Sequence, residues 1–188
     1  MANTSDIKNG LCINFNGEVY SIIEFQHVKN ARGAAFTRAK MKSFKSGKTI
    51  ENAFKSSQKI DVVRVERRKY QFLYEDDLGM NFMDSETYEQ IAIQKAMIDN
   101  PQFIKEGSEI DVLFDTATES PLTVELPQYI NLKITYTEPG LAGNTATNAL
   151  KPAKTETGAE IRVPLFINEG DVVKIDSKSG AYMERVKS

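Results

Sequence analysis

Apolar and polar residues alternate with a period of two along most of this chain. Leu11, Ile13 and Phe15 alternate before Asn16-Gly17, and the same pattern returns later over 130–136. A period of two places successive side chains on opposite faces of a β-strand, and Asn-Gly is a favoured two-residue hairpin turn. One or two helical turns are predicted only over 92–99. The chain is therefore predicted to be all-β and built from antiparallel hairpins.

The strand-like segments fall into three units of about sixty residues, 1–65, 66–128 and 129–188. A polar, turn-like stretch at Lys55–Lys59 precedes the first boundary. Pro127 marks the second boundary, because proline cannot donate a hydrogen bond to a central ladder. Each unit has several short strands. With about sixty residues, each unit is near the lower size limit for an independent core. Small closed barrels are predicted, since closure removes exposed sheet edges.

Positive charge is concentrated in one part of the sequence. Residues 29–69 carry thirteen Lys and Arg against three acidic residues, although the formal net charge of the whole chain is −2. Clustered basic residues typically bind a polyanion, and nucleic acid is the leading candidate because Lys and Arg neutralise its phosphates. A solvated basic face without a partner is the alternative.

The segment 35–42 places its charge on one side of a predicted strand. One face carries small and apolar residues, Ala35, Thr37, Ala39 and Met41. The opposite face carries Phe36, Arg38, Lys40 and Lys42. The alternation therefore predicts a strand with one buried face and one cationic face.

The residues needed for most catalytic and metal sites are scarce. The chain has one histidine, His27, and one cysteine, Cys12. No nucleophile with a base and an orienting group is visible, and a single cysteine rules out a multi-cysteine metal site. Asp76-Asp77 fits a solvated hairpin turn. We expect a protein that is not an enzyme, with no metal and no cofactor, in which Cys12 is a small core residue.

The sequence also indicates where the protein acts. No apolar stretch approaches the length needed to cross a bilayer, and the first residues lack the basic and apolar regions of a signal peptide. A cytoplasmic location without a membrane partner is predicted.

The loop after the first long strand, residues 26–35, is the most distinctive chemical feature. Gly33 and the small Ala31 leave Arg32 at a narrow tip. A guanidinium there stays charged and can bind phosphate or stack on a base, with Lys29 as a second charge. An ordinary solvated hairpin is the alternative, and His27 is interpreted as a side chain at the end of a strand.

Motifs in all three units match the signature of one protein family. The C-terminal unit carries that signature at every spacing: Lys151-Pro-Ala153, Gly158, Ile161, Val163-Pro164, Ile167 and Gly170. Supporting matches are Asp6–Gly10, Phe25–Val28, Phe82–Asp84, Tyr136–Gly140, Gly180–Tyr182 and Arg185. Through these residues the chain resembles the bacterial elongation factor P family over essentially its whole length.

The resemblance implies an SH3-like N-terminal barrel followed by two OB-fold barrels, in an L-shaped arrangement that imitates tRNA. It also implies a monomer that binds both ribosomal subunits and ribosomal RNA between the P and E sites. There it is expected to stabilise the P-site peptidyl-tRNA and to promote peptide bond formation at consecutive prolines.

The resemblance assigns a role to the tip loop. Arg32 occupies the position that bears a modified Lys or Arg in the family and that reaches the CCA end of the P-site tRNA. Lys29, Asn30, Ala31 and Gly33 support it. The family tips read Pro-Gly-Lys-Gly or Ser-Gly-Arg-Asn, and this one reads Asn-Ala-Arg-Gly. Covalent modification of Arg32, such as rhamnosylation by a dedicated enzyme, and a bare working Arg32 therefore both stay open.

Two further sets of RNA contacts follow from the resemblance and the charge pattern. Gly143, Asn144 and Thr145 match a family loop associated with the E-site codon region, although a plain surface turn is the alternative. The residues expected to meet RNA phosphates are Arg38, Lys40, Lys42, Lys45 and Lys48.

Two other functions compete with this prediction. Ala31–Ala35 resembles the tip of the elongation factor P-like paralogue, which suggests a specialised ribosomal role. A general OB-fold RNA-binding protein is the second rival, and it would need stacking aromatics along a basic groove. A requirement for P-site tRNA separates the translation factor from the general RNA binder.

Overall fold

The fold is all-β, as the alternation predicts. The computed structural model describes residues 2–29, 34–139 and 149–186. These residues form three five-stranded sheets in which all strand pairs are antiparallel. Helical structure in the described part is limited to short 3-10 helices at Thr4–Asp6, Lys95–Met97 and Pro101–Phe103. Of the helical turns predicted over 92–99, only the Lys95–Met97 turn is present.

The first sheet has the order β4-β3-β2-β1-β5. Its strands are β1 Cys12–Phe15, β2 Glu18–Val28, β3 Phe36–Ser43, β4 Thr49–Lys55 and β5 Asp61–Val62. The predicted hairpin joins β1 to β2, and both of its turn residues have positive φ, 52° at Asn16 and 83° at Gly17. This is the backbone that a tight two-residue turn requires. Its core includes Ile13, Ile22 and Met41.

The two faces of β3 are as predicted. Thr37, Ala39 and Met41 are buried, whereas Arg38 and Lys40 are exposed. Cys12 at the start of β1 is also buried, which confirms its interpretation as a core residue.

The second sheet has the order β10-β9-β6-β7-β8. Its strands are β6 Val65–Asp76, β7 Gly79–Asp84, β8 Gln90–Ile93, β9 Glu109–Asp115 and β10 Ser120–Glu125. Its core combines aliphatic and aromatic residues, and Phe72 and Phe82 lie there with ring centroids 5.4 Å apart.

The third sheet has the order β13-β12-β11-β14-β15. Its strands are β11 Tyr129–Thr137, β12 Leu150–Thr155, β13 Glu160–Pro164, β14 Val172–Asp176 and β15 Tyr182–Arg185. The first strand is central, and the edge strands β13 and β15 approach each other, so the sheet curls towards closure. Its core is aliphatic and includes Leu132, Ile134 and Val173.

The segment before β9 joins the second and third units. Phe103 is buried in the core of the third sheet, although it lies between strands of the second. The Asn100 side-chain amide donates to the backbone oxygens of Ser177 and Lys178, at 2.9 Å each. Lys105 forms a 3.0 Å ion pair with Glu156. The boundaries drawn from the sequence stay predictions, and this segment contributes to both units.

In the described part of the chain, no helix is long and apolar enough to cross a membrane.

Candidate RNA-binding surface

The two loops expected to touch RNA directly lie outside the described residues. These residues are Asn30, Ala31, Arg32 and Gly33 at the tip, and Gly143, Asn144 and Thr145 in the third unit. Their roles stay predictions. The structure does describe the strands and side chains that lead to both loops.

The strands that lead to the first tip are paired with each other. After a register shift between Ile22 and Glu24, β2 and β3 pair without interruption up to Val28 opposite Phe36, and Lys29 follows as an exposed residue. Paired strands hold the two chain ends that flank residues 30–33 at a fixed separation.

A shallow cavity of about 160 Å³ lies at the base of this tip. Its lining includes His27, Lys29 and Phe36. His27 is the penultimate residue of β2, shares a 2.8 Å hydrogen bond with Thr37, and stacks edge-on against Phe25. Its position is that of the strand-end side chain expected from the sequence.

The outer face of β2, β3 and β4 forms a ladder of cross-strand neighbours. Arg38 on β3 lies opposite Gln26 on β2 and Ala53 on β4. Neither neighbour is charged. The guanidinium lies 6.0 Å from the centroid of the Phe36 ring, at the outer limit of a cation–π contact. Arg38 is thus an exposed cation without an acidic cross-strand neighbour.

Lys40 occupies a different electrostatic environment, one step farther from the tip. It lies opposite Glu24 on β2 and Glu51 on β4. Directly opposed side chains in antiparallel strands have Cβ atoms about 5 Å apart. The two carboxylates therefore offset the charge of Lys40.

Lys42 contacts the second unit. Its ammonium forms an ion pair with the carboxylate of Asp99, and its side chain is half-buried. Lys45 and Lys48 lie in the exposed turn between β3 and β4, at the end of the sheet away from the tip. The five basic residues predicted to meet RNA therefore lie in four distinct environments.

The basic segment 29–69 does not form one positive surface, contrary to the simplest interpretation of its composition. Arg67, Arg68 and Lys69 lie on β6, where the carboxylates of Glu125, Glu119 and Asp111 pair with them at 2.5, 2.8 and 2.8 Å. The hydrogen bond and charge of Glu125 raise the pKa of Arg67 above its usual value. This end of the segment is neutralised within the second sheet.

Lys55 is an exposed cation that the sequence analysis missed. It ends β4 and lies directly opposite Phe36, at the tip side of the face. The alternation along β4 indicates its exposure, because every second residue of this strand lies on the exposed face: Thr49, Glu51, Ala53 and Lys55. Its closeness to Arg38 follows only from the register between β3 and β4.

A buried lysine lies beside the second loop. Lys151 is 6% exposed, and its ammonium donates a 2.8 Å hydrogen bond to the backbone oxygen of Glu138. Burial of an unpartnered ammonium is costly, so this bond compensates part of the desolvation. It ties together the two chain ends that flank residues 140–148.

Among the residues that the structure describes, no group of three or more His, Cys, Asp or Glu is placed to hold a metal ion.

Comparison with known proteins gives matches over the whole chain. The family models "Elongation factor P (EF-P) KOW-like domain", "Elongation factor P (EF-P) OB domain" and "Elongation factor P, C-terminal" match residues 3–60, 65–123 and 130–185. Elongation factor P of Flavobacterium johnsoniae is 55% identical over 187 residues, which covers 100% of both chains. Elongation factor P of Amoebophilus asiaticus is 54% identical over 188 residues, which covers 100% of this chain and 99% of the relative.

A solved structure supports the fold. Eukaryotic translation initiation factor 5A from Methanococcus jannaschii matches with a TM-score of 0.51 at 20% identity, over 67% of this chain and 90% of that one. At this identity the likeness concerns the fold alone. The full-length identity to the curated relatives is decisive: the chain belongs to the elongation factor P family.

Proposed function

We propose that this chain is a translation elongation factor that binds the ribosome between the P and E sites and promotes peptide bond formation at consecutive prolines. The identity of 55% over the full length to a curated elongation factor P carries the proposal. The partners we propose are both ribosomal subunits, ribosomal RNA and the P-site peptidyl-tRNA. The factor acts as a monomer in the cytoplasm.

The mechanism is positioning. The ring of proline constrains peptide bond formation, and holding the peptidyl-tRNA in a reactive geometry recovers rate through orientation. The paired strands β2 and β3 lead to the tip, where Arg32 binds phosphate groups or stacks on a base at the CCA end. The ribosome performs the chemistry, and the factor has no catalytic role of its own.

The third unit supplies the second contact in this proposal. Gly143, Asn144 and Thr145 meet RNA in the E-site codon region. The hydrogen bond from Lys151 to Glu138 supports this role, since it holds the two flanks of the loop together.

Arg32 tests the proposal directly. Arg32→Ala is expected to abolish rescue of a reporter that contains consecutive prolines, because the tip loses its cation. The measurement is the yield of that reporter in cell-free translation, with a reporter lacking the prolines as reference. Arg162→Ala, at an exposed position of β13, is the matched control and should retain rescue. Rescue by Arg32→Ala as strong as by the unchanged chain would contradict the proposal.

The modification state of Arg32 needs its own measurement. The mass of the tryptic peptide that contains Arg32, from the native host and from a recombinant source, reports any covalent group. A shift confined to the native peptide identifies the modification and its chemistry. If the native and recombinant peptides have equal masses and the protein rescues proline-rich synthesis fully, an unmodified guanidinium is sufficient for that rescue.

A further inference from the structure

We propose that, on the exposed face of β3 and β4, the RNA backbone is bound at the tip-side half, made by Phe36, Arg38 and Lys55, and that Lys40 takes no part. This inference rests on the proposed function and deepens it, because it specifies which cations neutralise phosphates. It also adds Lys55, which neither the motifs nor the charge pattern singled out.

The register brings the three residues together. Phe36 lies opposite Lys55, and Arg38 is two residues along on the same face of β3. Residues placed diagonally across an antiparallel pair are about 7 to 8 Å apart, so Arg38 and Lys55 lie within reach of neighbouring phosphates on one strand of RNA. Phe36 neighbours both cations, and the guanidinium of Arg38 lies 6.0 Å from the centroid of its ring.

The charge along the face changes one step farther from the tip. Among the described residues, no carboxylate lies within ion-pairing distance of Arg38, Lys40 or Lys55, so the difference between them is in their cross-strand neighbours. Lys40 has Glu24 and Glu51 on either side, whereas the neighbours of Arg38 are Gln26 and Ala53. A phosphate that approaches Lys40 also approaches two carboxylates, and like charges repel it. The face therefore attracts RNA at Arg38 and Lys55 and offers no net attraction at Lys40.

The partner is identified by this complementarity. An exposed pair of cations with uncharged neighbours fits a polyanion. In the proposed function the adjoining tip contacts RNA, so the polyanion bound here is RNA. The phosphates belong either to the P-site tRNA or to ribosomal RNA. Both sources present the same chemistry, and the experiment separates them.

The salt dependence of ribosome binding tests the inference. The variants are Arg38→Gln and Lys55→Gln, with Lys40→Gln as the matched control on the same face. The affinity of each full-length chain for ribosomes that carry P-site tRNA is measured between about 50 and 200 mM salt. Each lost phosphate contact should reduce the slope of log K against log salt by about 0.7 to 0.9.

We expect Arg38→Gln and Lys55→Gln to bind more weakly and with reduced slopes, and Lys40→Gln to keep the slope of the unchanged chain. Repetition on ribosomes without P-site tRNA assigns the source. A slope change seen only with tRNA identifies tRNA phosphates, and one seen on both identifies ribosomal RNA.

Two results would overturn the inference. In the first, both Arg38→Gln and Lys55→Gln keep the slope of log K against log salt of the unchanged chain. In the second, Lys40→Gln reduces that slope as much as Arg38→Gln does. In both cases the unchanged chain still binds ribosomes and rescues proline-rich synthesis. Failure of the proposed function is different, because the unchanged chain then shows neither binding nor rescue.

Discussion

Gly180 shows how one missing side chain permits a contact between distant parts of the chain. It has a φ of +69°, and a Cβ at this position would lie 3.0 Å from the ring of Phe103. Gly170 has a φ of +88° but no heavy atom within 4 Å of such a Cβ. Both positions favour glycine for their backbone, and only Gly180 also needs it for space.

Substitution at these two glycines separates the two costs. Gly170→Ala should lower the free energy of unfolding by about 1 kcal/mol, the penalty of a left-handed backbone with a Cβ. Gly180→Ala should lower it by about 1 to 3 kcal/mol more, because the methyl group overpacks a buried ring. Urea unfolding followed by circular dichroism measures both. Equal losses would show that the ring of Phe103 yields without cost.

Cys12 illustrates how burial determines reactivity. Desolvation, reinforced by the nearby Glu125 carboxylate, raises the pKa of the thiol to about 11. The thiolate is the reactive form, so the folded chain keeps this cysteine unreactive at neutral pH. The residue contributes to packing in the core and not to the chemistry of the protein.

At the level of elements, the turn between β7 and β8 depends on one carboxylate. Asp84 accepts hydrogen bonds from the backbone amides of Thr87 and Glu86, at 3.0 and 2.7 Å. These bonds favour the ionised form and lower its pKa below the usual value. The stabilisation is fully present above the unfolded pKa of about 3.9 and is lost as pH falls through the lower pKa of the folded state.

Asp84→Asn should therefore flatten the acid side of the stability profile. Asparagine keeps an acceptor for the turn but cannot titrate. The free energy of unfolding of the variant should therefore fall less between pH 7 and pH 3 than that of the unchanged chain. Urea unfolding at the two pH values gives the comparison. Asp77→Asn, in the hairpin between β6 and β7, is the control and should follow the unchanged chain. Parallel profiles for Asp84→Asn and the unchanged chain would exclude the turn as a source of acid sensitivity.

The strand β3 shows what pattern predicts at this scale and what it omits. Alternation predicts which side chains of β3 face the core, because the period belongs to the strand itself. Whether an outward lysine is free depends on its neighbours across the sheet. Lys40 has two acidic neighbours and Arg38 has none.

At the level of the whole molecule, the segment from Asp99 to Lys105 connects all three units. Asp99 pairs with Lys42 of the first, and Asn100 and Phe103 contact the third. The two junctions differ in kind. The pair with the first unit is exposed and contributes little to stability, whereas Phe103 is 5% exposed within a packed core.

Phe103→Ala tests the importance of the second junction. Removal of a buried phenylalanine should lower the free energy of unfolding of the third unit by about 3 to 5 kcal/mol. Phe166→Ala is the control, because that ring is 59% exposed and its removal should change the value by no more than about 0.5 kcal/mol. Hydrogen exchange of amides in β11 and β14 reports this unit within the intact chain. Similar exchange in both variants would mean that the third core does not depend on Phe103.

Four features could be predicted from the residues alone: the all-β class, the Asn16-Gly17 hairpin, the buried face of β3 and membership of the family. These features are local, since strand periodicity and turn preference act over a few residues, and motif spacing is read directly along the chain.

Which cations have acidic neighbours and where each core ends follow from the folded chain and not from its pattern. Lys42 meets Asp99 across 57 residues, Arg67 meets Glu125 across 58, and Phe103 fills a core built mainly from later strands. Ion pairing and burial depend on groups that the fold brings together, and composition counts each charge as if it stood alone. The physical reason is that an electrostatic interaction depends on distance in space, whereas a sequence gives only distance along the chain.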